Sequence, residues 1–211
     1  LRARTVRRGR HGAGRGRLNF GDMLTVPQGL GCCDFQKPSQ SLVNAFRTDA
    51  NGVPLFDTYN QQDVNFFVNT VDPRLDHTVS RPGAPWKYEP GRVVTEAWSR
   101  NVPIYGVYNS MKENVSPDCD CFVNVAPFFG NTKARILIRY ADVMLMKAEA
   151  LIESGRQGEA LSLINEIRAR AAKSTGRLKM ANGQPTSKYN VKQYVPGVNI
   201  TWDQSTARKA L

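Results

Sequence analysis

The stretch that decides the fold is ILIRYADVMLMKAEALIESGRQGEALSLINEIRARAA, residues 136–172. In its first half, apolar side chains recur every three or four positions and cover a wide surface, which predicts a mostly buried amphipathic helix. Ser154 and Gly155 end this helix, because glycine accepts the left-handed conformation that satisfies terminal carbonyl groups. The pattern resumes at about residues 157–172. The sequence therefore predicts two helices packed as an antiparallel hairpin.

The predicted hairpin carries more apolar surface than two helices can bury against each other. One face of its first helix consists of Ile136, Tyr140, Val143, Met144 and Leu151. Stacked helical units usually need about three copies for stability, and no second copy of the hairpin occurs in the chain. We therefore expect neighbouring helices from segments outside this sequence.

The sequence before the hairpin is rich in turn-forming residues. Gly, Pro, Asn and Asp punctuate residues 19–127 so densely that only short elements fit between them. A short helix is predicted over residues 39–46, with Ser39 or Ser41 as its cap, and a second helix over residues 61–70. This region is otherwise expected to be irregular.

The sequence after the hairpin returns to irregular structure. Residues 174–205 contain frequent Gly, Pro and Asn. Residues 201–211 predict the start of a further helix, with Thr201 as a cap before Trp202.

The positive charge of the chain is concentrated at one end. Residues 1–17 contain seven arginines and no acid, and they supply seven of the eleven net positive charges. Such a segment cannot bury enough apolar surface to offset its ordering entropy, so residues 1–18 are predicted to be irregular or disordered. An Arg-rich arm can bind nucleic-acid phosphates, and the alternative is a solvated tail. Because no nucleic-acid-binding motif follows, we expect no nucleic-acid partner.

The four cysteines occur as two local pairs, Cys32-Cys33 and Cys119-Asp120-Cys121. These spacings fit poorly with the C-x-x-C pairs of zinc sites. Free or locally paired thiols are predicted, with no bound metal.

The sequence lacks the common catalytic motifs. Its two histidines, His11 and His77, lie apart, and no phosphate-binding loop, nucleophile elbow or zinc-protease motif is present. Asp72 and Asp76 are paired carboxylates of the kind that hydrolyse glycosides when correctly spaced. The favoured interpretation is structural, because aspartate side chains cap turns. We therefore predict no catalytic residue, no cofactor and no enzymatic activity.

Two separated segments resemble one protein family. IRYADVMLMKAEA at residues 138–150, GEAL at 158–161 and INEIRARA at 164–171 resemble the helical hairpin of the SusD/RagB family. DPRLD at residues 72–76 resembles a segment that the same family places upstream of that hairpin. The resemblance extends over roughly residues 20–211.

The resemblance implies a mainly α fold. Tetratricopeptide-type helix pairs would carry a long irregular, loop-rich region, with a partial SusD-like domain over residues 19–211. Relative to the family, the chain lacks the signal, the lipid-anchoring cysteine, the N-terminal helices and the extreme C-terminal part. A fragment is therefore expected.

The resemblance also implies a function. Family members are outward-facing outer-membrane lipoproteins that bind glycans, or in some cases peptides, and deliver them to a SusC-like TonB-dependent transporter. The expected partners are that transporter and an oligosaccharide or peptide ligand, with membrane attachment only through a lipid anchor that this chain lacks. The alternative is a tetratricopeptide-like adaptor that binds a peptide in a helical groove, which the Gly- and Pro-rich loops disfavour.

A sugar-binding site needs exposed aromatic rings beside polar groups, because sugars present flat apolar faces between polar rims. One loop-rich stretch offers both kinds of side chain. The candidate ligand-binding residues are Trp86, Tyr88, Trp98, Arg100 and Asn101. The alternative for each aromatic residue is that it packs the loops onto the helices.

Overall fold

The computed structural model describes residues 24–112, 114–125, 128–134 and 136–211. The segment predicted to be irregular or disordered, residues 1–18, lies outside the described residues. The α-helices are α1 Gln40–Asn44, α2 Val102–Tyr105, α3 Tyr140–Glu153, α4 Gln157–Ala172 and α5 Gln204–Ala210. The strands are β1 Arg47–Thr48, β2 Thr70–Val71, β3 Val79–Ser80, β4 Pro85–Trp86, β5 Glu89–Val93, β6 Asn109–Ser110, β7 Phe122–Val125 and β8 Phe128–Asn131. They pair antiparallel in four small sheets, β1-β2, β3-β6, β4-β5 and β7-β8. Within the described part, α3 and α4 are the longest elements, and the strands between the other helices are short.

Helices α3 and α4 form the predicted antiparallel hairpin. The three-residue connection reverses the chain, and Gly155 has the left-handed φ of 75° that was expected there. Small and branched side chains meet between the helices, with Ala148 and Ile152 of α3 packed in one cluster with Ala160 and Ile164 of α4. All four are at most 3% exposed.

The prediction that the first helix is mostly buried is wrong, because only one face of α3 is buried. Ile136 is 61% exposed, Leu137 85%, Tyr140 76% and Val143 50%. The helix begins only at Tyr140, and the described elements that pack on it, α4 and α5, contact its opposite face. Its buried residues are Ala141, Met144, Ala148 and Ile152.

The helices predicted before and after the hairpin in the sequence, over residues 39–46 and 201–211, are confirmed as α1 and α5, with one change of cap. The hydroxyl of Ser39 caps α1 by accepting a hydrogen bond from the Leu42 N–H, at 3.1 Å. Helix α5 is capped by Asp203, whose carboxylate accepts from the Thr206 N–H at 2.7 Å, and not by the predicted Thr201. The helix starts later than expected, and a cap must directly precede the first turn.

The helix predicted over residues 61–70 does not form. The side-chain oxygen of Asn65 accepts from the Phe67 N–H at 2.9 Å, and that of Asn69 accepts from the Asn65 N–H at 2.8 Å. Asparagine side chains that capture nearby backbone donors stabilise turns at the expense of helix.

The DPRLD segment anchors the loops to one another. The Asp72 carboxylate accepts from the Arg74 N–H at 2.9 Å and closes a turn, and Leu75 is completely buried in a core with Val43, Val71 and Val79. The Asp76 carboxylate accepts hydrogen bonds from a loop that is distant in sequence, so both carboxylates of the segment have structural roles. That loop supplies the hydroxyls of Ser187 at 2.6 Å and Tyr189 at 2.7 Å.

Arg168 ties α4 to the loops on either side. It is 3% exposed, and its guanidinium donates to the carbonyl oxygens of Gly52 at 2.6 Å and Lys192 at 2.7 Å and to the Tyr194 hydroxyl at 3.0 Å. Gly52 is required at this crossing, because a Cβ atom there would lie 2.8 Å from the Lys192 nitrogen. The helix therefore positions loop segments that are more than 100 residues apart in sequence.

The cysteines form local disulfide pairs, which is one of the two predicted alternatives, the other being free thiols. Disulfide bonds join Cys32 to Cys33 and Cys119 to Cys121. Across the described ranges, no group of three or more His, Cys, Asp and Glu side chains is arranged to hold a metal ion. None of the helices in these ranges combines the length and the apolar character needed to cross a bilayer.

Candidate functional site

The structure places Trp86 in a core and Trp98 at the edge of that core. Trp86 has no exposed surface and packs with Val94 and Met111. The half-buried ring of Trp98 lies 5.5 Å from that of Trp86, centre to centre. The Trp86 ring therefore offers no surface on which a ligand could stack. It packs the loops together, which is the alternative that the sequence left open for each aromatic residue.

Glycine makes the close packing around Trp98 possible. A Cβ atom on Gly29 would lie 2.6 Å from the Trp98 indole, closer than real contacts allow. Only a residue without a side chain fits at that point of the turn preceding Cys32. One side of the Trp98 ring is therefore covered by backbone.

Tyr88 lies in a separate cleft of about 660 Å³. Its hydroxyl is 2.8 Å from His77 Nδ1, and His77 Nε2 is 3.1 Å from the Ser174 carbonyl oxygen. Because a carbonyl oxygen only accepts, Nε2 carries the proton and Tyr88 donates to Nδ1. Burial raises the pKa of the Tyr88 phenol and lowers the pKa of His77. The walls of this cleft in the described part of the chain contain none of the other four predicted residues.

Arg100 and Asn101 lie on an exposed surface with two aromatic residues. The guanidinium carbon of Arg100 lies 4.5 Å from the ring centre of Phe35 and 4.8 Å from that of Tyr105. Both residues are 45% exposed. Asn101 precedes α2, and its carbonyl oxygen accepts from the Tyr105 N–H at 2.8 Å. We call Phe35, Arg100, Asn101 and Tyr105 the aromatic-arginine surface.

A buried aspartate fixes the backbone beneath this surface. Asp34 is 3% exposed, and its carboxylate accepts from the Arg100 N–H at 2.8 Å, from Lys37 Nζ at 2.7 Å and from Asn109 Nδ2 at 2.7 Å. These charge-assisted hydrogen bonds join two chain segments 66 residues apart. Asp34 has a left-handed φ of 55°, a conformation that such multiple contacts must hold in place.

Phe35 and Asp34 are not among the site residues predicted from the sequence. Both lie about 65 residues before Arg100, and only the folded loops bring them together. The local sequence around Phe35 gives no periodic pattern that would have shown its exposure. The surface they form combines two apolar ring faces with guanidinium and amide donors, which suits a ring-shaped ligand with a polar rim.

Comparison with known proteins establishes the class of this chain. The sequence model of the SusD family matches residues 8–209. The chain belongs to the SusD family, as the hairpin and DPRLD motifs predicted. Membership does not favour the alternative of a peptide-binding adaptor.

A curated relative supports the same assignment. The chain is 50% identical over 46 residues to SusD-like protein P38 of Formosa agariphila. That alignment covers 22% of this chain and 9% of the relative. The chain therefore matches only a small part of that protein.

Proposed function

We propose that this chain is part of a non-catalytic outer-membrane protein that captures a glycan or a similar oligomer and delivers it to a SusC-like TonB-dependent transporter. The observation that carries the proposal is the match to the SusD family over residues 8–209. In this proposal the protein faces outward, a lipid anchor attaches it to the membrane, and the α3-α4 hairpin belongs to a tetratricopeptide-type scaffold.

The aromatic-arginine surface is the proposed ligand contact. The exposed faces of Phe35 and Tyr105 would stack on sugar rings, and Arg100 and Asn101 would donate hydrogen bonds to hydroxyl groups. The backbone of Arg100 is already fixed by Asp34, so little ordering cost remains for this part of the site. This arrangement supports binding and offers no pair of groups for acid–base catalysis.

The other three predicted residues, Trp86, Tyr88 and Trp98, have different proposed roles. Trp98 is a contact at the margin of the surface, and Trp86 supports it from the core. Tyr88 would bind ligand only in its own cleft.

A glycan array followed by calorimetric titration tests the proposal. We expect an oligosaccharide to bind without turnover, and we expect Arg100→Ala and Tyr105→Ala each to weaken binding about tenfold or more. Tyr140→Ala is the matched control, because Tyr140 is 76% exposed on α3 and lies outside the surface. Hydrolysis of the bound glycan would overturn the non-catalytic function. Unchanged affinity in the Arg100 and Tyr105 variants would overturn the site.

A further inference from the structure

Two further clefts share no wall residue with the aromatic-arginine surface. A cleft of about 1020 Å³ runs along residues 184–192 to the end of α4. A neighbouring cleft of about 550 Å³ shares three wall residues with it, Ala172, Val191 and Lys192. The two clefts therefore adjoin, and together we call them the lysine groove.

The walls of the lysine groove carry positive charge without an acid. Exposed lysines line it at four positions, Lys173, Lys179, Lys188 and Lys192. None of its described wall residues is an aspartate or a glutamate. The buried Arg81 also reaches the wall, but its charge is paired with Asp76 at 3.3 Å.

Among the described residues, these four lysines form no ion pair with an acidic side chain, unlike Lys37 and Lys209. Lys37 pairs with Asp34 and Lys209 with Asp57, each at 2.7 Å. No such contact neutralises the lysines of the groove. Like charges gathered in a cleft focus the electrostatic field and raise the local concentration of anions.

The groove also presents apolar surface. Phe67 is 87% exposed at one end, and the turn that holds it is fixed by the hydrogen bond from its N–H to the Asn65 side chain. Phe66 beside it is covered by the Arg81 guanidinium, 3.9 Å from the ring centre. Val198 is 80% exposed at the other end. The groove thus alternates apolar contact surface with point charges.

We propose that the lysine groove is a second ligand site, which binds an acidic oligosaccharide carrying repeated carboxylate or sulfate groups. The lysines neutralise the acidic groups, and Phe67 stacks on a sugar face. A single-stranded nucleic acid would require successive stacking rings, and Phe67 is the exposed aromatic residue in this groove. The choice of a sugar rests on the proposed function, whereas the preference for an anion rests on the groove alone.

Calorimetric titration of the whole chain tests the charge requirement. The probes are hexagalacturonate and its fully methyl-esterified form, and a sulfated carrageenan hexasaccharide and its desulfated form. We expect each charged probe to bind at least tenfold more tightly than its neutral counterpart, with an affinity that falls as salt is raised. The sulfated and carboxylated probes tell the two sources of charge apart. Equal affinity for the charged and neutral forms would overturn the proposal.

Single variants test the location. Lys179→Gln and Lys188→Gln are expected to weaken binding of the charged probe about two- to fivefold each, and Phe67→Ala to weaken it further. Lys147→Gln is the matched control, an exposed lysine on α3 away from the groove, and should bind like the unmodified chain. Equal losses in Lys147→Gln and Lys179→Gln would contradict the groove.

Two further measurements separate this site from the aromatic-arginine surface and from unspecific charge binding. Tyr105→Ala should leave binding of hexagalacturonate unchanged, so failure of the first site does not decide the second. Polyphosphate of equal charge should bind less tightly than hexagalacturonate. If it binds equally well and with the same lysine dependence, the groove selects charge alone and the sugar assignment is overturned.

Discussion

At the scale of single residues, burial decides which aromatic side chains can meet a ligand. Trp86 has no exposed surface, whereas Phe35 and Tyr105 are 45% exposed beside Arg100. An indole ring that fills a core contributes mainly to stability, because its removal leaves a cavity and loses apolar contacts. Exposed rings contribute little to stability and remain available for binding.

Trp86→Ala should therefore lower the free energy of unfolding by about 3–5 kcal/mol. Tyr140→Ala, at a ring that is 76% exposed, should change it by less than about 0.5 kcal/mol. Urea denaturation followed by circular dichroism measures both. A stable Trp86→Ala protein that had lost glycan binding would reverse the roles assigned here.

His77 provides a test of pH dependence. Burial lowers its pKa below the ordinary value of 6.5, and Nδ1 accepts the Tyr88 hydroxyl only while the ring is neutral. Since the folded-state pKa is the lower one, protons bind preferentially to the unfolded chain. The stabilisation is complete above the unfolded pKa and is lost as the pH falls through the folded pKa.

We expect nuclear magnetic resonance titration to give a pKa for His77 below 6.5 in the folded chain. The decrease in unfolding free energy between pH 7.5 and pH 5.5 should be smaller in His77→Gln, which cannot take up the proton. A measured pKa at or above 6.5 would show that burial does not govern the protonation of His77.

At the scale of elements, the hairpin is stabilised by one face of α3. Ile152 is completely buried against α4 and α5, whereas Met146 of the same helix is 58% exposed. Ile152→Ala should lower the free energy of unfolding by about 2–5 kcal/mol, because it leaves a cavity between the helices.

Met146→Ala is the control for this substitution, and we expect a change of less than about 0.5 kcal/mol. Thermal and urea unfolding of the two variants would be compared under the same conditions. Equal destabilisation by both substitutions would mean that α3 is covered on both faces in solution.

Elements that are marked by a local sequence pattern, such as periodicity or a capping residue, could be predicted. Features that depend on distant contacts could not. The bounds of α4 and the Ser39 cap follow from periodicity and capping chemistry within a few residues. The helix predicted over residues 61–70 failed because two asparagine side chains compete for its backbone donors. The exposure of Leu137 and Val143 could not be predicted either, because it depends on which elements pack on α3.

At the scale of the whole molecule, buried polar groups hold the loops that precede and follow the hairpin in sequence against it. Arg168 and Asn165 of α4 both bond the segment around Tyr194, and Asp76 bonds Ser187 and Tyr189. Burial lowers the pKa of Arg168, whose charge is stabilised by carbonyl oxygens. The bonds from Arg168 to Gly52 and from Asp76 to Ser187 each span more than 100 residues of sequence, so no local pattern revealed them.

Arg168→Ala should lower the free energy of unfolding by about 3 kcal/mol or more, because buried carbonyl oxygens lose their donors. Arg168→Lys should recover part of the loss, since an ammonium group cannot reach all three acceptors. Arg170→Ala, at an exposed position of the same helix, is the control. A loss below about 0.5 kcal/mol for Arg168→Ala would show that the loops are held in another way.

The candidate site has the same dependence on long-range contacts. Arg100 and Asn101 were identified from the sequence because they lie in a polar, turn-rich stretch. Phe35 and Asp34 complete that surface from a segment about 65 residues earlier, and Trp86 turns inward. Composition thus led only to the proposed region of the candidate site, and tertiary packing determined which of its side chains are accessible.

The most direct test of the central claim is a nuclear magnetic resonance titration of the isotope-labelled chain with a glycan selected on the array. We expect chemical-shift changes at the backbone amides of Phe35, Arg100 and Tyr105, while the glycan remains intact. Changes confined to the exposed face of α3, at Tyr140 and Val143, with Arg100 unaffected, would contradict that claim.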